Sequence, residues 1–162
     1  MSWSRRGLLA LPLAALAACG FAPVYGPGGV GTKLFNRIRT ADPKTPDDFA
    51  FAGRIAERLG PDSAATYELG WQLRIAVVAQ AITPDEVTTR YSLNGSANYI
   101  LTELATGKPV ARGQVSNFTS YSTTGTTIAT MTAEQDAHDR LARLLADMVV
   151  TRLQALDPAA LK

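Results

Sequence analysis

The chain carries one cysteine and one histidine in 162 residues. A lone thiol cannot close an internal disulfide, so the fold has to stand on packing. A chain of this length can bury enough surface to do so without staples. One histidine and one cysteine also fall short of a zinc site or a Cys/His nucleophile pair. No metal, no cofactor and no catalytic residue is therefore expected. The opening apolar segment, Gly7 to Ala18, has 12 residues and contains Pro12, below the ~20 that a membrane-spanning helix needs.

What that segment does have is the layout of a lipoprotein signal. Arg5 and Arg6 supply a charged flank, the apolar run follows, and Leu16-Ala17-Ala18 sets small residues before Cys19. Residues 1–18 are read as a signal peptide and Cys19 as the acylated first residue of the mature chain. Ser4-Arg5-Arg6-Gly7-Leu8-Leu9 also resembles a twin-arginine signal, so the export route stays open. Removing residues 1–18 takes away two arginines and no acid. The 16 basic and 14 acidic residues of the full chain thus become 14 of each. A formally neutral body makes no electrostatic case for nucleic acid. One acyl chain anchors marginally and two or more anchor stably. A diacylglyceryl thioether with an N-acyl group is of the second kind. Gly20 stands where an aspartate would favour inner-membrane retention, which points to the outer membrane.

Gly26-Pro27-Gly28-Gly29-Val30-Gly31 reads as a flexible spacer. It is not a phosphate loop, because no Lys-Ser/Thr pair ends it and no strand precedes it. Residues 19–32 are expected to form a lipidated tether and residues 33–162 a single domain. Leu34 to Thr40 is predicted as a short first strand. Thr45, Pro46, Asp47 and Asp48 then punctuate a helix start. Its apolar face is read as Phe49, Ala52, Ala56 and Leu59, widened by Phe51 and Ile55, and Gly60-Pro61 stops it.

The period next changes to two. Tyr67, Leu69, Trp71, Leu73, Ile75 and Val77 alternate with Glu68, Gly70, Gln72 and Arg74, as in a half-buried strand. Ile82 to Glu86, with Pro84 inside, is a connection. From Val87 to Thr102 the parity holds again, with Tyr91, Leu93, Ala97, Tyr99 and Leu101 on one face. Asn94-Gly95 within this run has the composition of a hairpin turn. A turn there would set Leu93 opposite Ser96 and mix the faces, so a bend or bulge in one long strand is expected. The hairpin belongs at Ala105-Thr106-Gly107, with Gly107 left-handed. It would pair Leu101 with Ala111, Tyr99 with Gly113 and Ala97 with Val115, the tyrosine covering a strand glycine. That strand runs to about Tyr121, and Ser122 to Thr130 is a loop. Thr132 and Gln135 have the form of a capping box. The closing helix carries Ala137, Leu141, Leu144, Leu145, Met148, Val149 and Leu156, and Asp157-Pro158 ends it. The fold class is α+β: one mixed or antiparallel sheet of about four strands with two helices packed on one face.

Little in this layout points to catalysis. His138 falls on the charged side of the closing helix, where a solvated side chain is expected. Asp47 and Asp48 suit a helix first turn, and Asp85 and Glu86 a turn. The sheet face opposite the core says more. Arg74, Arg90 and Arg112 share it with Gln72, Ser92, Asn94, Ser96, Asn98, Gln114 and Ser116, and Glu68 stands at one end. A solvated face would look like this. So would a surface for carbohydrate and phosphate, or for the polar lumen of a barrel.

Taken together, Cys19-Gly20-Phe21-Ala22-Pro23-Val24-Tyr25-Gly26, Thr89-Arg90-Tyr91, Thr106-Gly107 and Ala133-Glu134-Gln135-Asp136-Ala137 resemble LptE, the lipopolysaccharide-assembly lipoprotein family, in its alphaproteobacterial form. The resemblance spans essentially the mature chain and agrees with the expected order of elements. It implies a non-enzymatic lipoprotein on the periplasmic side of the outer membrane. Such a protein would sit in the lumen of the LptD barrel, assist its assembly and help deliver lipopolysaccharide to the outer leaflet. Arg74, Arg90 and Arg112 are then the candidate contacts to lipopolysaccharide or LptD, and Cys19 the lipidation site. A lipid-anchored periplasmic module binding a small ligand or a transporter partner is the alternative, with a lipoprotein hydrolase behind it. A deep apolar pocket beneath the sheet would favour the small-ligand module.

Overall fold

The computed structural model describes residues 23–82 and 88–161, without the side chains of 81, 82 and 88. Its elements in chain order are α1 (Val30–Leu34), β1 (Ile38–Thr40), α2 (Pro46–Leu59), β2 (Tyr67–Ile82), β3 (Thr88–Glu103), β4 (Pro109–Ser122) and α3 (Thr127–Gln154), followed by a 3₁₀ turn at Pro158–Ala160. The four strands form one sheet in the order β1-β2-β3-β4. β1 runs parallel to β2, and the other pairs are antiparallel. The mixed α+β sheet with helices on one face is as expected. Cys19, the signal segment, Asp85 and Glu86 lie outside the described residues.

The register follows the parity of the side chains. Leu101 pairs with Ala111, Tyr99 with Gly113 and Ala97 with Val115, and Gly107 is left-handed at φ 65°. A Cβ on Gly113 would meet the Tyr99 hydroxyl at 2.8 Å, so the tyrosine does lie over this glycine. Asn94-Gly95 behaves otherwise than expected. The pairing runs unbroken through both residues, Gly95 facing Ile75 on one side and Asn117 on the other. There is neither bend nor bulge. Gly95 is needed because α3 crosses above it: an added Cβ would stand 2.9 Å from Leu141 Cδ2 and 3.1 Å from Leu145 Cδ1.

α2 begins as its sequence dictates. The Thr45 hydroxyl accepts from the Asp48 N–H, and the Asp48 carboxylate accepts from the Thr45 N–H, closing a capping box. Its buried face is Phe51, Ile55 and Leu59, spaced four apart. Phe49 is 64% exposed and Ala56 is exposed too, so the face is turned from the one expected. The residues read as its margin are its centre. α3 likewise starts earlier than Thr132. Thr126 is its N-cap, accepting from the Ala129 N–H, while the Thr132 hydroxyl donates to the Ile128 carbonyl inside the helix. The cap stands shortly after β4 ends, where the chain must turn back. Thr126→Ala should therefore cost about 1 kcal/mol in urea unfolding and Thr132→Ala only a few tenths.

α3 buries Ala137, Leu141, Ala142, Leu145, Ala146, Val149, Val150 and Leu153, while Leu144 stays 37% exposed. The three alanines let the helix lie close to the sheet and to α2. Polar ties also hold it. The Thr119 hydroxyl of β4 donates to the Ala137 carbonyl, and Arg54 and Arg58 of α2 both donate to Asp147. The surface pairs Asp136/Arg140 and Asp139/Arg143 are present at 2.9 and 3.0 Å.

The glycine-rich segment is not a free spacer throughout. Val30, Gly31 and Leu34 of α1 are buried, and Lys33 Nζ donates to the carbonyls of Pro158 and Leu161. Even Tyr25 is engaged, its hydroxyl accepting from Gln154 Nε2 at 2.6 Å. The predicted strand over 34–40 shrinks accordingly to Ile38–Thr40. Val30 and Leu34 stand four apart and bury together as a helical turn.

Candidate binding face

Even-numbered residues of β2, β3 and β4 point away from the helices, since Leu69, Leu101, Leu93 and Val115 of the odd set are the buried ones. The register arranges the outer face in cross-strand rows. Arg74, Ser96 and Ser116 form one row; Gln72, Asn98 and Gln114 form the next; Gly70, Ile100 and Arg112 form a third. On the other side of Arg74 comes Ala76, Asn94 and Phe118. The result is a surface of amides and hydroxyls with one guanidinium on each long strand.

The structure places all three arginines on this face, exposed, but does not gather them. Arg112 lies four residues along β3 and two strands across from Arg74, about 16 Å by strand geometry, and Arg90 lies about 20 Å from the Arg74 row. Arg74 borders a shallow hollow of about 540 Å³ shared with Asn94, Ser96, Ser116 and Phe118. Among the described residues no salt bridge reaches Arg74, Arg90 or Arg112. Glu68, at the end of the face, is taken by Arg39 of β1. Ser92, grouped with the face by parity, is buried, its hydroxyl directed at the Thr119 carbonyl.

Two apolar members were missed. Phe118 is 68% exposed and Ile100 49% exposed, and both stand on the outer face among the polar side chains. The signal was available, since Phe118 has the parity of Ser116. A face of hydroxyls, amides, separated guanidiniums and isolated apolar groups can meet sugars and phosphates, and can lie against polar side chains.

A second surface feature lies on the helix side. Where β1 ends, a groove of about 590 Å³ opens between the start of α2 and the side of β2. His138 sits at its border, Nδ1 3.2 Å from both Asp47 carboxylate oxygens. It is a half-buried bridge between α3 and α2, not the solvated residue expected, because the α2 first turn is brought against α3 by long-range packing. Trp71 Nε1 donates to Asp48 at 2.8 Å. Burial pushes the Asp48 carboxyl up. The hydrogen bonds from Trp71, Thr45 and the Lys44 and Thr45 backbone outweigh it and hold Asp48 below its ordinary value. Among the described residues no group of three or more His, Cys, Asp and Glu side chains is arranged to hold a metal. No helix among them is long and apolar enough to cross a membrane.

The family model for LptE, described as lipopolysaccharide-assembly, matches residues 30–153. The chain belongs to the LptE family. The match begins at Val30, the first residue of α1, and ends at Leu153, the last buried residue of α3. Solved structures share the fold of this LptE chain. A protein of Caulobacter crescentus described as a lipoprotein is 22% identical with TM-score 0.63, covering 77% of this chain and 92% of its own. The rare lipoprotein B of Shewanella oneidensis is 12% identical with TM-score 0.53, covering 72% and 91%. An uncharacterized lipoprotein B of Nitrosomonas europaea is 8% identical with TM-score 0.55, covering 75% and 83%. No curated protein matches the chain by sequence.

Proposed function

We propose that this LptE chain is a non-catalytic lipoprotein, acylated at Cys19 and held on the periplasmic side of the outer membrane, that partners the LptD barrel in lipopolysaccharide assembly. Its outer sheet face carries the contacts. The observation behind this reading is the three-stranded outer face, on which no salt bridge among the described residues reaches Arg74, Arg90 or Arg112, on a chain of the lipopolysaccharide-assembly family. The spread of the three arginines suits an extended partner surface or a ligand with several phosphates better than one small anion. The small-ligand alternative gains nothing from the interior. The space beneath the sheet is filled by Leu69, Leu93, Leu101, Leu141, Leu145 and Leu153, each 0% exposed.

The test is charge reversal. Arg74→Glu, Arg90→Glu and Arg112→Glu, singly and together, are assayed for binding of purified lipopolysaccharide and for recovery of LptD. An arginine that hydrogen-bonds phosphate or carboxylate contributes about 1.5 kcal/mol or more, so each effective reversal should weaken one interaction at least about tenfold. Circular dichroism should show the fold intact, since all three side chains are exposed. Unchanged binding in both assays for the triple variant would sink the assignment of this face.

A further inference from the structure

β2 has a partner on both edges only at its beginning. β1 pairs with Tyr67 to Leu69 and then leaves the sheet. The direction of the hydrogen bonds along that short contact tells which groups of β2 face the lane that β1 vacates. The Tyr67 N–H donates to the Arg37 carbonyl, and the Leu69 carbonyl accepts from the Ala41 N–H. Odd residues thus turn their N–H and C=O toward β1's side. Even residues turn theirs toward β3. The same parity carries through Trp71, Leu73, Ile75 and Val77, because the β2–β3 pairing stays regular until Ala79. Among the described residues no backbone group meets them on that side.

Of the usual protections of such an edge, only a bulge stands nearby, beyond Ala79. Native edges are blunted by lysine, proline, inward charge or a bulge. Ile75-Ala76-Val77-Val78-Ala79 has none of these residues. Val77 is 50% exposed on the helix side and Val78 41% exposed on the outer side. The segment is apolar on both faces as well as open along its edge. Beside it lies the groove already described, with Trp71, Leu73 and Ile75 on its wall. Its rim holds three carboxylates, Asp42, Asp47 and Asp48, against one lysine, Lys44. Asp47 already faces His138 and Asp48 serves the capping box, while Asp42 is exposed.

We propose that the open edge of β2 from Trp71 to Val77 is a strand-addition site for an extended segment of another polypeptide, one that carries a basic side chain into the acidic groove. Backbone pairing would continue the sheet in the lane that β1 leaves. Alternate side chains of the incoming strand would enter the groove beside Trp71, Leu73 and Ile75. The carboxylate rim selects the charge of the residue that reaches it. The same rim argues against a second copy of this chain, because edge-to-edge pairing would bring two acidic grooves together. This inference stands on the edge and the groove, and does not depend on the reading of the outer face.

The experiment uses the full-length protein in detergent and synthetic peptides of about eight residues, alternating valine and threonine with one central lysine. A counterpart carries glutamate in place of the lysine. Residue-resolved amide hydrogen exchange is the readout. The amides of Trp71, Leu73, Ile75 and Val77 should exchange freely without peptide. They should slow at least tenfold when the lysine peptide is saturating, while those of Gln72, Arg74 and Ala76 start slow. The glutamate peptide should bind at least tenfold more weakly, and Asp42→Lys should reverse that preference. Val77→Pro removes an N–H that faces the lane and donates no bond to β3, so it should abolish peptide protection with the fold retained. If that variant fails to fold, the Asp42→Lys charge swap decides alone. Absence of protection with either peptide would overturn the proposal. So would odd-residue amides already protected in the free protein, or protection that rises with protein concentration and not with peptide.

Discussion

Gly95→Val is expected to lower stability by about 3 kcal/mol, the upper end of the cost of overfilling a packed core. The position lies in the middle of β3, where valine by itself would favour a strand. Propensity loses here to space. The first added carbon would already stand 2.9 Å from Leu141 Cδ2 and 3.1 Å from Leu141 Cγ, and two methyls follow it. Leu141 and Leu145 are both 0% exposed, so neither has solvent to retreat into. The helix has to lift, and with it the contacts of Val149 and Leu153 further along. Urea unfolding followed by circular dichroism should show the loss as a lowered midpoint with the slope unchanged. Leu141→Val in the same chain should recover part of it, because that exchange shortens the obstructing side chain. Strict additivity of the two changes would mean that the leucine is not the reason for the glycine.

The second large effect belongs to Gly60, which closes α2. Its φ of 76° and ψ of 172° fall in a region that is essentially glycine's own, at a cost of roughly 1–3 kcal/mol for any other residue. Space adds to conformation. A Cβ there would be placed 2.0 Å from Asn36 Oδ1. Asn36 cannot simply swing aside, since its backbone is itself left-handed at φ 61° and its N–H donates to the Leu59 carbonyl at 2.7 Å. Gly60→Ala should therefore destabilise by about 3 kcal/mol or more. Replacing Asn36 by glycine alongside it should return the steric share and leave the conformational share. A thermal melt of Gly60→Ala within a degree or two of the parent would refute this account.

The contrast between these two glycines shows what was legible in the sequence. Gly60-Pro61 announces a helix end through local chemistry, and Gly107 announces a hairpin in the same way. Strand parity is equally local, so the register of β3 and β4 and the membership of the outer face could be written down from residues two apart. Gly95 could not be explained that way. Its neighbours are Leu141 and Leu145, some fifty residues later in the chain, and only the packing of α3 reveals why a side chain is excluded. The rotated face of α2 has the same origin. Phe49 and Phe51 fit a helical stripe about equally, and the position of α3 decides between them. His138 was misjudged because its partner Asp47 lies 91 residues away. On the outer face parity placed Arg74, Arg90 and Arg112 on one surface. It could not tell how far apart three different strands would hold them.

One consequence of the docked N-terminal segment concerns distance. Tyr25 is fastened to the end of α3 and Val30 is already inside the core. From Cys19 to Pro23 the chain has only four residue steps, about 14 Å when fully drawn out. With acyl chains on Cys19, as proposed, the domain would be on a short leash. Under that acylation, the end that carries α1, Lys33 and the final turn would stay near the membrane surface. β2 starts at that same end, since Asn36 and Arg37 bond to the residues around Tyr67, and its 16 residues lead away for about 50 Å. The sheet would then be a lever with a fixed foot. Its outer face and the open edge of β2 would be presented at set distances from the anchored end.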